Sequence, residues 1–200
     1  MIRSKLLRLA LEESSDGKAN REIEYEYYGK LIDLSQLDKA SSKEHHEQWE
    51  FKIPKTENNA GKGRIRVRKT IKNDGTIEYV NTTKSILEKS NDRIELSIPT
   101  TEDGFKQFRI LSDTGMIKDR YMFPVDDYVF EVDMFLKPDG TYHEYCKIDL
   151  EVKSKTENIP EIPIKLEDLI INQYGNRTNI EIKLLDKLFK ECFISRNIYL

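Results

Sequence analysis

The sequence predicts an α+β domain dominated by antiparallel strands, with one sheet face charged and the other apolar. Three observations predict it. Polar and apolar residues alternate with a period of two through most of the chain, as half-buried strands require. Asn73-Asp74-Gly75 and Pro138-Asp139-Gly140 sit between such segments as hairpin turns. Acidic and basic residues are sorted onto different strands instead of being mixed along each one.

Taken in order, Met1 to Glu13 carries Ile2, Leu6, Leu9 and Ala10 at the spacing of an amphipathic helix. Ser14 to Asn20, with Asp16-Gly17, reads as a turn. Eight strands follow, over roughly 21–31, 46–53, 63–71, 77–86, 92–98, 116–123, 128–137 and 143–153. Leu34 to Lys43 and Glu102 to Leu111 read as short helices between strands. After Pro160 and Pro163 the pattern turns helical, over Ile164 to Asn172 and then Asn179 to Phe193.

Side chains alternate across a strand, so each face can be listed. One collects Glu22, Glu24, Glu26 and Lys30; Glu50 and Lys52; Arg64, Arg66 and Arg68; Lys84; Arg93 and Glu95. It continues with Lys118, Arg120, Glu131, Asp133, Lys147, Asp149, Glu151 and Lys153. The other holds Tyr25, Tyr27, Trp49, Phe51, Val67, Phe130, Val132, Met134, Cys146, Ile148 and Leu150, and the helices are the candidates to cover it. The charged face must meet water or an ionic ligand. A plain open sheet with a solvated face satisfies the same alternation. Sorted charge favours a ligand, because a solvated face gains from mixing signs. Carboxylates two residues apart on one face repel unless a cation lies between them, and an oxygen-only set suits Mg²⁺ or Mn²⁺.

Composition narrows the function classes. The chain has 200 residues and a formal net charge of −3, with 34% of residues charged, which disfavours a generic nucleic-acid coat. No signal peptide or membrane-length apolar run is evident, so a cytoplasmic protein is expected. Cys146 and Cys192 both fall on apolar faces and read as buried thiols. His45, His46 and His143 lack zinc spacing, and His45 and His46 point to opposite faces of any strand. Tyr25, Tyr27, Tyr28 and Trp49 read as packing residues, not base-stacking platforms.

The order of these motifs resembles the triphosphate tunnel metalloenzyme superfamily, also called the CYTH domain. Glu22 and Glu24 match its opening acidic pair, and Glu26 stands where that motif carries a lysine. Arg64-Ile65-Arg66 matches its basic strand, Lys84 the lysine that follows, and Glu95 the glutamate of the fifth strand. Lys118-Asp119-Arg120 matches a Lys-x-Arg strand, Asp133-Met134-Phe135 a later acidic segment, and Asp149-Leu150-Glu151 the closing Glu-x-Glu.

The resemblance implies an eight-stranded antiparallel β-barrel, about 21–153, whose charged interior is a tunnel. Helical segments over 1–13 and 163–196 would pack outside, in one domain spanning 1–200. It implies a metal-dependent phosphohydrolase acting on inorganic tripolyphosphate, a nucleoside or thiamine triphosphate, or an RNA 5′-triphosphate end. Glu22, Glu24, Asp149 and Glu151 would hold Mg²⁺ or Mn²⁺. Arg64, Arg66, Lys84, Lys118 and Arg120 would clamp phosphate, and Glu26 or Glu95 would orient water. A class IV-type adenylyl cyclase and a non-catalytic module binding phosphorylated nucleotides or RNA ends are the alternatives. Neither membrane nor generic duplex nucleic acid is an expected partner, and a homodimer stays open.

Overall fold

Alternation over nine to twelve residues gives long strands whose backbone groups must be satisfied by neighbours, and a large antiparallel sheet results. In a computed structural model, residues 23–52, 63–86, 93–112, 114–152, 159–173, 183, 186–187 and 190–195 are described. For 23–24, 52, 84–86, 93–95, 151–152, 170–173 and 193–195 the description covers the backbone alone. The expected helix over 1–13 and Glu22 lie outside the described residues.

The strands are β1 (Ile23–Leu31), β2 (Ser42–Lys52), β3 (Arg64–Lys72), β4 (Ile77–Ile86) and β5 (Arg93–Pro99). After helix α1 (Glu102–Leu111) come β6 (Thr114–Val125), β7 (Tyr128–Leu136), β8 (Tyr142–Val152), β9 (Leu166–Gln173) and β10 (Phe193–Ser195). All ladders are antiparallel, in the order β5-β4-β3-β2-β6-β7-β8-β1-β9, with β10 on β6. Both expected hairpins are present, each with a glycine at φ +81°, Gly75 and Gly140, a conformation that costs a residue with a Cβ. Gly115 answers a different need: a Cβ there would come within 2.5 Å of the Trp49 indole, so its absence lets Trp49 lie across β6.

The described ladders leave barrel closure unshown, and three other expectations need correction. The strand path is open: β5 and β9 occupy its two ends, and among the described residues no ladder joins them into a barrel. β1 does pair with β8, as the closed barrel would require, but as internal neighbours of that path.

Residues 164–172, read as helical, form strand β9 instead. The free edge of β1 presents unpaired backbone groups, and the Leu169-Ile170-Ile171 run is well suited to pair with them. The segment expected as helix over Leu34–Lys43 is a 3-10 turn at Leu34–Lys39, capped by the Asp33 carboxylate accepting from Ser35 N–H. β2 then begins at Ser42, because residues from there onward pair with β6. Of the late helix expected to end at Phe193, residues 183, 186–187 and 190–192 are helical, whereas Phe193 already belongs to β10.

The apolar face holds the residues that alternation assigns to it. Its largest core cluster joins Tyr25, Tyr27, Phe123, Phe130, Val132, Met134, Cys146, Ile148 and Leu150. The cover differs, because Leu37 of the 3-10 turn and the irregular stretch carrying Ile159, Ile162 and Ile164 pack on it. Helix α1 covers a second cluster through Phe105 and Phe108, against Trp49 and Val67. Cys146 and Cys192 are buried free thiols, and burial raises them to about 12 and about 11. Thiols so held are poor nucleophiles.

A polar cluster also sits on this apolar side. Asp119, 4% exposed, lies between His45 Nδ1 at 2.7 Å and Lys43 Nζ at 2.8 Å, and also accepts from the Tyr142 hydroxyl. Burial alone would raise its carboxyl; bonds from His45, Lys43 and Tyr142 outweigh that and hold it at about 2. A carboxylate depressed on folding adds stability above its unfolded pKa, near 3.8, and loses it as pH falls toward 2. We expect about 2 kcal/mol of acid-sensitive stability from this group. Urea denaturation of Asp119→Asn between pH 2 and 6 checks it, and an unchanged pH profile would refute it.

Candidate functional site

Residues directly opposite one another in a ladder share a face, so the register alone assembles the charged face. Glu24 stands opposite Glu151 and Glu26 opposite Asp149, giving a two-by-two block of carboxylate positions. Lys147 opposes Tyr28 and Asp133, Asp133 opposes Arg120, and Arg120 opposes Glu44. Further along the path, Glu50 opposes Arg66, Arg64 opposes Lys84, and Lys84 opposes Glu95. Every site residue expected from the sequence with a described backbone therefore lies on one face of one sheet.

Side-chain contacts divide that face in two. At the acidic end, Lys147 Nζ lies 2.9 Å from Glu26 Oε1 and 2.6 Å from Asp149 Oδ1, bridging strands β8 and β1. Lys30 turns away to Glu144 and Asp168. Arg120 grips Asp133 with two bonds, Nε at 2.7 Å and Nη2 at 2.9 Å, and also pairs with Glu131. Its Nη2 is 3.8 Å from Asp149. Lys118 Nζ donates to the same Asp133 carboxylate.

Two cations thus share one deeply buried carboxylate. Burial would raise Asp133, but Lys118 and Arg120 overcome it and hold the carboxyl well below the usual range. Burial lowers Lys118 to about 8, with Arg120 nearby adding to that and Asp133 opposing it.

The other end is basic. Arg64, Arg66 and Arg68 share the polar face of β3, with Arg64 3.6 Å from Glu50. Arg68 is lowered mainly by burial and then by Arg120, with Glu44, Glu131 and Asp133 opposing that. Charges on β6 and β7 therefore reach a β3 guanidinium across β2.

The sequence reading puts Glu50 and Lys52 of β2 on this face but misses Glu44, His46 and Gln48. Glu44, His46 and Gln48 alternate with His45 and Glu47, and the same period-two pattern continues through Glu50 and Lys52. Starting β2 at 46 hid the first of them. The histidine pair does split as expected, His45 to Asp119 and His46 to the polar face.

Glu95 is on β5, at one end of the sheet path, whereas Glu26 is on β1 near the other. No ladder brings these two together. Among the described residues no group of three or more His, Cys, Asp or Glu is arranged to hold a metal. The side chains of Glu24 and Glu151, and all of Glu22, fall outside the described set. The donor chemistry of the block, four carboxylate residues at directly opposed ladder positions, nonetheless fits a hard divalent ion, which takes oxygen ligands.

No helix of the described residues is long and apolar enough to cross a membrane. No family model matches the chain, and no curated protein matches it. Among solved structures it is similar to the PH1819 protein from Pyrococcus horikoshii OT3, at 20% identity and a TM-score of 0.45. That match covers 86% of this chain and 93% of the other.

Proposed function

We propose that this chain is a metal-dependent phosphohydrolase acting on a triphosphate compound bound along the charged sheet face. The observation that carries the reading is the ladder register, which puts a carboxylate block and an arginine row on the same face. Four strands separate β3 from β1 in the path, about 24 Å if the sheet were flat. One ligand spans both ends only if the sheet curls on itself, so the proposal includes closure into a tunnel.

Glu24, Asp149 and Glu151, with Glu22, would hold Mg²⁺ or Mn²⁺. The ion would supply charge neutralisation and a water of lowered pKa. Arg64, Arg66 and Lys84 would fix phosphate oxygens, the arginines through planar two-point bonds. Lys118 and Arg120 would add positive charge beneath them while Asp133 keeps both side chains in place. Lys147 supports turnover in particular. The resemblance places a lysine at the position of Glu26, and Lys147 brings an ammonium to within 2.9 Å of that carboxylate from the neighbouring strand.

The same bridge favours a second reading. With Glu26 and Asp149 both engaged by Lys147, the face would bind a triphosphate or an RNA 5′ end without cleaving it. One assay separates the two. The pure protein is incubated with tripolyphosphate, ATP, thiamine triphosphate and 5′-triphosphate RNA, each with Mg²⁺ or Mn²⁺. Orthophosphate release supports the hydrolase. Metal-dependent binding without release supports the sequestering module, and pyrophosphate with cyclic AMP would replace both by a cyclase. Neither release nor binding with any compound would sink the triphosphate reading.

A further inference from the structure

The β2 strip holds two buried acceptors that the phosphate-binding scheme leaves unused. His46 is 1% exposed and Gln48 6%, two residues apart on the polar face. In the ladders His46 stands between Thr70 and Lys118, and Gln48 between Arg68 and Met116. His46 Nε2 lies 2.8 Å from Glu44 Oε2. A carboxylate only accepts, so Nε2 carries the proton and Nδ1 is left with a lone pair. The ring stays neutral, because burial first, and then Lys118, Arg68 and Arg120, lower it to about 2. Neither His46 Nδ1 nor Gln48 Oε1 has a hydrogen-bond partner among the described residues. The nearby Lys118 ammonium gives one of its three N–H groups to Asp133, and Arg68 Nε, on the residue opposite Gln48, is likewise buried with no hydrogen-bond partner among the described residues.

Building on the triphosphate reading, we infer that His46 and Gln48 form an acceptor pair that reads an N–H or O–H donor carried by the ligand beside its phosphates. Ionised phosphate oxygens only accept, so a bare polyphosphate lying here can serve the Arg68 and Lys118 donors but brings neither acceptor a donor of its own. An organic phosphate with a hydroxyl or amino group satisfies them. The pair therefore determines specificity and takes no part in bond cleavage. Discrimination of this kind is strong, because the wrong ligand strands a buried polar group.

Calorimetric titration of the full chain with ATP and with inorganic tripolyphosphate tests it. In the wild type ATP should bind at least about tenfold more tightly, the equivalent of one good hydrogen bond. His46→Phe keeps a planar ring of similar size and should weaken ATP about tenfold while moving tripolyphosphate less than about twofold. Gln48→Leu should shift ATP in the same direction, and it serves if His46→Phe fails to fold. Equal wild-type affinities, or a parallel loss for both ligands in the variants, would overturn the inference and leave the triphosphate reading standing. Failure of both ligands to bind the wild type would overturn the two together.

Discussion

Asp133→Ala is expected to cost about 3–5 kcal/mol of folding stability, the largest loss from any single substitution on the polar face. Asp133 is 1% exposed and takes bonds from both Lys118 and Arg120. Removing it leaves two cations facing each other in a region from which water is mostly excluded. Arg120 retains Glu131 and Asp149, so the greater part of the penalty falls on Lys118, itself 7% exposed.

A double variant, Asp133→Leu with Lys118→Met, should therefore lose less than the sum of its two single changes. The acid dependence has a definite sign. Folding depresses the Asp133 carboxyl, so its contribution is complete above the ordinary carboxylate range and is lost progressively as pH falls below that range toward the depressed folded value. Urea denaturation at pH 7 measures the effect, and a loss below about 1 kcal/mol for Asp133→Ala would show that the triad is merely a solvated surface network.

This triad marks where the sequence was legible and where it was not. Face membership could be read directly, because a strand's period of two is local information: Glu26, Asp149, Arg64 and Arg120 fall where alternation puts them. Both hairpins could be read for the same reason, since Asn-Asp-Gly and Pro-Asp-Gly specify a turn within a few residues. Partner choice could not. The resemblance assigns Lys118 and Arg120 to phosphate, and nothing local in the sequence shows that Asp133 on the adjacent strand also engages both. That pairing depends on the β6–β7 register, which alternation alone leaves undetermined by steps of two.

β9 failed for a related reason. Ile164 to Asn172 carries apolar residues at helical spacing, and only the open edge of β1, a tertiary feature, selects the extended form. Asp119 was placed with the basic strand's motif and went unnoticed as a buried carboxylate. Its partners His45, Lys43 and Tyr142 come from two other strands, far apart in sequence.

The strongest functional effect is expected at Glu24 and Glu151, whose alanine variants should each reduce metal-supported triphosphate hydrolysis by about a hundredfold or more. The argument runs through repulsion. Two carboxylate pairs stand directly opposite each other at neighbouring positions of β1 and β8, an arrangement that destabilises a ladder unless cations intervene. Lys147 serves the inner pair, Glu26 with Asp149. On the proposed reading the outer pair, Glu24 with Glu151, would then seat the divalent ion.

This yields a signature that simple damage to the fold would not produce. Glu24→Gln relieves repulsion, so the metal-free variant should melt slightly above the wild type. Saturating Mn²⁺ should stabilise the wild type by about 2.7 kcal/mol at a hundred times its dissociation constant, and the variant far less. Lys147→Met should act in reverse, lowering metal-free stability by exposing the inner pair to its own repulsion. Thermal melts with and without Mn²⁺, read beside the rates, test all three variants together. Wild-type rates in Glu24→Ala and Glu151→Ala, with an unchanged Mn²⁺ response, would refute the metal assignment; lost rates with an intact response would move the ion elsewhere on the face.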